Sequence, residues 1–218
     1  MNLPSITLTD MYLEYSRTLV YYFYMNILFA SGNPHKKEEM EALFAPHSLF
    51  SPREKDLSFT CEENSDTFIG NAFIKAEALS EKAPDWVILA DDSGLIVPAL
   101  PSQLGVKTAR YGMEISGMML NDTERNSYLL KNLKGLDRKA IFICALVLLT
   151  PTYRTYVVQE QVEGHIVETP KGVEGFGYDP VFFVDEAGCT MAELSREKKN
   201  IYSHRARAAH KMVSILRR

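Results

Sequence analysis

Asp91 and Asp92 sit side by side in DWVILADDSGLIV, after an apolar run and before Ser93 and Gly94. Consecutive side chains of a strand point to opposite faces, so a turn at Gly94 is expected if both carboxylates are to meet in one place. Two carboxylates about 5 Å apart repel by about 3 kcal/mol at an effective dielectric of about 20. A hard divalent cation removes that cost, and Mg²⁺ takes one or two carboxylates together with phosphate oxygens. The plainer alternative is an Asx turn closing the strand, with both aspartates solvated.

Other stretches carry compatible chemistry. In SGNPHKKEE, Ser31 and Gly32 end an apolar run, and Asn33 and Pro34 suit the N-cap and first position of a helix. Free amide groups at such a start form an anion site. Lys36 and Lys37 oppose the helix dipole there, which a bound polyphosphate would explain. A charged, solvated helix face is the alternative, and the spacing of a Walker A loop is missing. In GFGYDPVFF, Gly175 and Gly177 leave the Phe176 ring uncrowded, suited to stacking on a base, and Asp179 follows as an acceptor; a Gly-rich turn around a core Phe reads equally well. SREKKNIYSHRARAAHK gathers Lys198, Lys199, His204, Arg205 and Arg207 around a helix start capped by Ser203, either on phosphate and base or as a basic surface. Glu62 and Glu63 precede another helix start, where carboxylates are favoured in any case.

The elements that position these residues follow from periodicity. NILFASG reads as a strand and NPHKKEEMEALFA as a helix with Met40, Leu43 and Phe44 on one face. Residues 46–62 form a loop with a short strand. A helix over 67–82, capped by Ser65 or Asp66, turns Phe68, Ala72, Phe73, Ala76 and Leu79 inward. A strand covers 86–90, with more strand after the acidic pair, and 98–117 is loop. NDTERNSYLLKNL is a helix, KAIFICALVLLT a central strand, and YRTYVVQEQVEGHIVE a long strand or hairpin arm. Residues 203–216 form the last helix, with Ala206, Ala209, Val213 and Leu216 buried. Mixed strands and helices predict an α/β fold with a mixed sheet.

Composition bounds the function. The 218 residues are 46% hydrophobic with a net charge of −4, enough for one sizeable core and without the basic field that holds a nucleic acid polymer. Cys61, Cys144 and Cys189 are too few and too scattered for a disulfide framework or metal knuckle, as expected in a reducing compartment. No apolar run is long enough to span a membrane. Met25 stands directly before the first clean strand, so the working domain is expected at 25–218, with residues 1–24 an extension unlike a signal peptide.

In order along the chain, FASGNPHK, EENSDTFIGNAFIKA, ILADDSGLIV, VKTARYG, GFGYDPVFF and AELSREKKNIYSHRARA resemble the inosine triphosphate pyrophosphatase family, the XTP/dITP diphosphatases. The resemblance covers Met25 to the C-terminus. It implies an elongated, two-lobed α/β fold, with a long mixed sheet flanked by helices and an active-site cleft between the lobes. It implies a cytoplasmic, Mg²⁺-dependent homodimer that splits ITP, dITP and XTP into monophosphate and pyrophosphate. By position, Ser31, Asn33 and Lys36 match the phosphate-contacting loop, and Glu63 the metal ligand. Asn71 and Lys75 match helix contacts to the triphosphate. Asp92 matches the proton acceptor and metal ligand, with Asp91 in support, and Ser93 a substrate contact. Phe176, Gly177, Tyr178 and Asp179 match the base-binding loop, and Lys199, His204 and Arg205 the last substrate contacts. Ser65, Leu104 and Tyr202 depart from the family's common Gly, Pro and Ile. A donor such as Arg205 or His204 would select a C6 carbonyl over an amine. A pyrophosphatase for modified pyrimidine nucleotides and a non-catalytic nucleotide-binding regulator are the competing readings.

Overall fold

The computed structural model describes residues 24–217. The expected extension, residues 1–24, lies outside the described residues apart from Tyr24. Strand β1 (Asn26–Phe29) is apolar and buried from Ile27 on, and helix α1 (Pro34–Leu43) follows it. The α1 start is as expected: the Asn33 side chain accepts from the backbone of His35 and Lys36, and Pro34 occupies the first turn. After β2 (Ser48–Phe50) comes α2 (Phe68–Ser80). Its cap is Thr67, whose side chain accepts from Gly70, rather than Ser65 or Asp66. Ser65 instead supports the turn, its hydroxyl accepting from the Thr67 amide.

Strand β3 (Val87–Ile96) corrects the expected turn, because it runs straight through Asp91, Asp92 and Gly94. The short α3 (Met113–Ser116) and the helix α4 (Asp122–Asn132) lead to β4 (Lys139–Leu149) and β5 (Thr155–Ile166). The chain ends with β6 (Phe182–Val184), β7 (Cys189–Thr190), α5 (Arg196–Tyr202) and α6 (His204–Leu216), the last capped by Ser203 as expected.

Among the described residues the strands form one mixed seven-stranded sheet in the order β2-β1-β3-β4-β5-β6-β7. β1 runs parallel to β2 and β3, and the remaining pairings are antiparallel. β4 is central, and both its faces are buried, which is why its sequence is an unbroken apolar run. Leu28, Ile88, Ala90 and Val147 pack under Ala72, Ala76 and Leu79 of α2. On the opposite face Phe29, Leu89 and Leu146 pack under Met40 of α1 and Ala209 and Met212 of α6. A further cluster, with Leu95, Leu129, Leu133, Val162 and Phe182, forms around β6 and α4. Each large apolar side chain so buried contributes about 1.5–3 kcal/mol, and together they hold the sheet between its helical layers.

One mismatch of lengths creates the site. The β1–β3 ladder stops at Phe29 and Leu89, whereas β3 stays paired with β4 as far as Ile96. Among the described residues, β3 therefore has a strand on one side only beyond Leu89. The gap closes at Leu95, whose backbone N–H and C=O are both bonded to the Thr108 hydroxyl at 3.0 and 3.1 Å. Gly94 permits that close approach: a Cβ there would lie 2.7 Å from Thr108 Oγ1, 2.8 Å from the Phe68 ring, and closer still to the Gly105 carbonyl.

Candidate active site

The chain leaves β1 at its carboxyl end, where parallel strands commonly expose a ligand crevice. A cavity of about 940 Å³ opens there, bordered by Ser31, Gly32 and Asn33 after β1 and by Asp92, Ser93 and Gly94 of β3. Residues from both faces of the sheet reach it around the open edge of β3.

On the α2 face, Asp92 meets Lys75 Nζ at 3.2 Å, and the same ammonium meets Glu63 at 2.7 Å. Asn71 donates to Asp92 at 3.3 Å while its carbonyl accepts from the Ser65 amide. Ser65, which replaces the family's common Gly, thus keeps its turn bonded to this network. Asn71 is buried behind Asp92 and does not border the cavity, unlike the direct substrate contact expected from the sequence. Burial raises the Asp92 pKa and the nearby Asp91 charge adds to this, only partly offset by Lys75 and Lys36. Burial would lower the Lys75 pKa, but Asp91, Asp92 and Glu63 raise it, so the ammonium stays charged.

On the other face, Asp91 takes Lys36 at 3.0 Å and Arg205 at 3.4 Å. Asp91 is 1% exposed and lies behind the cavity wall. Burial opposes its charge, but Lys36, Arg205 and Lys75 outweigh that and hold the carboxyl well below the usual range. Arg205 also donates to Ser93 Oγ at 2.9 Å and pairs with Glu39. Lys199 sits 2.6 Å from both Asp179 and Glu39. Each cation bordering the cavity at Lys36, Lys75, Lys199 and Arg205 is therefore matched to carboxylates.

The glycine loop forms the far wall. Gly175 has φ +77°, and a Cβ on it would lie 2.9 Å from Lys199 Nζ and closer still to the Asp179 carboxylate. That carboxylate accepts the Phe176 amide at 2.9 Å. The Phe176 ring is not left open as its glycine flanks suggest. His35 stacks on it at 5.2 Å, with Lys199 Nζ 5.2 Å and the Arg205 guanidinium 5.7 Å from its centroid. Tyr178 is buried and donates to the Thr108 carbonyl at 2.9 Å. His204 borders the cavity with its ring stacked on Phe142 at 4.5 Å, and its Nδ1 is buried without a partner among the described residues. Burial, then Arg205 and Lys199, push its pKa well below the ordinary value, so the ring is neutral. Of the basic run, Lys198 and Arg207 fall outside the cavity lining, and Arg207 pairs with Glu186.

The sequence reading missed Glu39, Asp122, Arg125 and Asn126. Glu39 stands one helical turn after Lys36, so helical spacing places it on the Lys36 side of α1. No local signal marks the three α4 residues for the site: Asp122 and Arg125 pair locally, but the contacts to Gly177 and Ala109 are to distant segments.

Fold and cavity together define an α/β protein that sets a carboxylate–lysine centre beside a cation-flanked aromatic wall. Residues 27–215 match the Ham1 family, and the chain belongs to it. It is 47% identical over 187 residues to the dITP/XTP pyrophosphatase of Treponema denticola, a match covering 84% of this chain and 94% of that protein. It is 42% identical over 195 residues to the dITP/XTP pyrophosphatase of Bacillus licheniformis, covering 87% and 97%. Its fold is similar to the Staphylococcus aureus Ham1 protein, with TM-score 0.76 and 35% identity over 88% of this chain and 97% of that one.

Proposed function

We propose that this chain hydrolyses dITP, XTP and ITP between the α and β phosphates, releasing the monophosphate and pyrophosphate with Mg²⁺ bound. The chain is a nucleoside triphosphate pyrophosphatase, a hydrolase of phosphoric anhydrides, as its relatives are named. One observation carries the substrate reading: Asp92 and Phe176 border the same cavity, with Lys36, Lys75, Lys199 and Arg205 also along its lining. A triphosphate fits the cationic stretch and a base the aromatic wall.

The donors suit Mg²⁺. Glu63 and Asp92 come from separate segments, yet both reach one cation, the Lys75 ammonium. Two hard carboxylates leave the remaining positions to water and phosphate, as this ion prefers. When bound, it would neutralise phosphate charge and acidify coordinated water.

The residues divide the remaining work. Asp92 borders the cavity and takes the proton from the water that attacks the α-phosphorus, whereas Asp91 is enclosed behind the wall between Lys36 and Arg205. Lys36, Lys75 and Lys199 balance the charge that develops on departing pyrophosphate. Phe176 stacks on the base, and Arg205 and His204 supply polar groups for its edge. A donor left facing the adenine amine would be unpaired, a mismatch that discriminates by about 10⁴-fold. A homodimer belongs to the same proposal, and sedimentation of the intact chain measures it.

Pyrophosphate release from ITP, XTP, dITP, ATP and GTP, with Mg²⁺ and with chelator, tests this function. We expect rapid release from the first three and none after chelation. Equal cleavage of ATP or GTP, or turnover that survives chelation, overturns it.

A further inference from the structure

The base-gripping loop is fastened by α4, a helix that carries none of the matched family motifs and lends Asp122 and Arg125 to the cavity lining. Gly177 adopts φ +65°, and both of its backbone polar groups are held by side chains of α4. Its N–H donates to the Asp122 carboxylate at 2.6 Å, and its C=O accepts from Asn126 Nδ2 at 2.9 Å. Asp122 and Asn126 are four residues apart on a helix, so both project from one face. α4 is itself secured at this end. Asn121 and Glu124 form a reciprocal cap, and Arg125 pairs with Asp122. Arg125 also donates to the Ala109 and Leu120 carbonyls at 3.1 and 3.2 Å, and its guanidinium lies 5.3 Å from the Tyr178 ring. Within the loop, the Asp179 carboxylate accepts from the Phe176 amide.

We infer that Asp122 and Asn126 are positioning residues that fix the Phe176 ring for base stacking by clamping the peptide groups of Gly177. The inference rests on the proposed nucleotide reading of the cavity. Backbone bonds of this kind fix the loop whatever base arrives, so they set ring position rather than read an edge. Neither residue is bonded to Asp91, Asp92, Lys75 or Glu63, so the clamp acts on binding and base choice and leaves the phosphate chemistry alone.

Asp122→Ala, Asn126→Ala and Asp122→Asn separate this role from helix stability. Asparagine keeps an acceptor for the Gly177 amide but loses the charge that pairs with Arg125. Steady-state kinetics on ITP and ATP should show both alanine variants with KM for ITP raised about tenfold, the loss expected for one hydrogen bond of about 1.4 kcal/mol. Their kcat should stay within about threefold, and their preference for ITP over ATP should shrink as the base edge loses its register with Arg205 and His204. Asp122→Asn should keep a near-normal KM. An unchanged KM, a fall in kcat matching that in kcat/KM, or Asp122→Asn behaving like Asp122→Ala overturns the inference. Hydrogen exchange at residues 175–179 of the free protein supplies a readout without substrate. Exchange should quicken in both alanine variants and not in Asp122→Asn; equal protection in all three overturns the clamp. Wild-type protein inert towards every purine triphosphate would sink the parent function, while the exchange measurement still decides the clamp.

Discussion

Asp91 and Asp92 are consecutive residues of one strand, yet their carboxylates serve opposite faces of the sheet and only Asp92 borders the cavity. Asp91 braces Lys36 and Arg205 on the α1/α6 side, and Asp92 answers Lys75 and Asn71 on the α2 side. The arrangement works because β3 has lost its neighbour there, so groups from both faces meet around its edge.

Neutralising the two residues should therefore have different consequences. Asp92→Asn removes the proposed proton acceptor and is expected to cut kcat about a hundredfold or more with the fold intact. Asp91→Asn leaves two enclosed cations short of an anion and should lower unfolding stability by about 3 kcal/mol or more. Paired turnover and denaturant-midpoint measurements check this, and an exchange of the two phenotypes would reverse the assignment.

Gly175→Ala is predicted to damage binding through backbone strain and collision together. A φ of +77° is unfavourable for alanine, and the added carbon meets Asp179 and Lys199. Stability should fall by about 1–3 kcal/mol, and KM for ITP should rise by about tenfold or more. Thermal melts and saturation curves measure the two effects; a variant normal in both would show that the loop tolerates a side chain here.

Gly94→Ala should strike at closure of the β3 edge. The new carbon would overlap the Gly105 carbonyl and crowd Thr108, displacing the segment bonded to Leu95. We expect a loss of about 1–3 kcal/mol in denaturant stability, and an unaltered midpoint would mean that the 105–110 segment moves freely.

His204 gives stability a pH dependence of known sign. Its folded pKa is depressed, through burial first and then Arg205 and Lys199, so the folded ring stays neutral where the unfolded ring takes a proton. Stability is full above the unfolded value of 6.5 and is lost as pH falls below it, by about 1.4 kcal/mol per pH unit until the folded pKa is reached. His47 adds a smaller contribution of the same sign, from burial and then Arg217. Melting temperatures between pH 7 and 5 should decline in wild type and flatten in His204→Gln; parallel slopes would exclude His204 as the source.

Much of the scaffold was legible because its signals are local. Asn33-Pro34 announced α1, Ser203 announced α6, and the apolar run at 139–149 announced the buried central strand. The expected turn at Gly94 failed because the glycine answers to Thr108 and Gly105 across a gap, not to a bend in its own strand. In the site, residues in distinctive local patterns stood out: of those matched by position to the family's site all but Asp91 and Asn71 border the cavity, whereas Lys37, Glu62, Lys198 and Arg207, singled out by charge alone, do not. Glu39, Asp122 and Asn126 escaped because their roles exist only once segments far apart in the chain have met.

The stretch of β3 beyond Leu89 has a further consequence. A strand flank lacking a neighbour is a template on which a stray extended chain can add. Here that flank carries two aspartates and is screened by lysine and arginine, with Thr108 sealing its far end. The charges that equip the cavity also act as gatekeepers against aggregation, so a double replacement of Asp91 and Asp92 by valine would leave a protein prone to self-association as well as inactive.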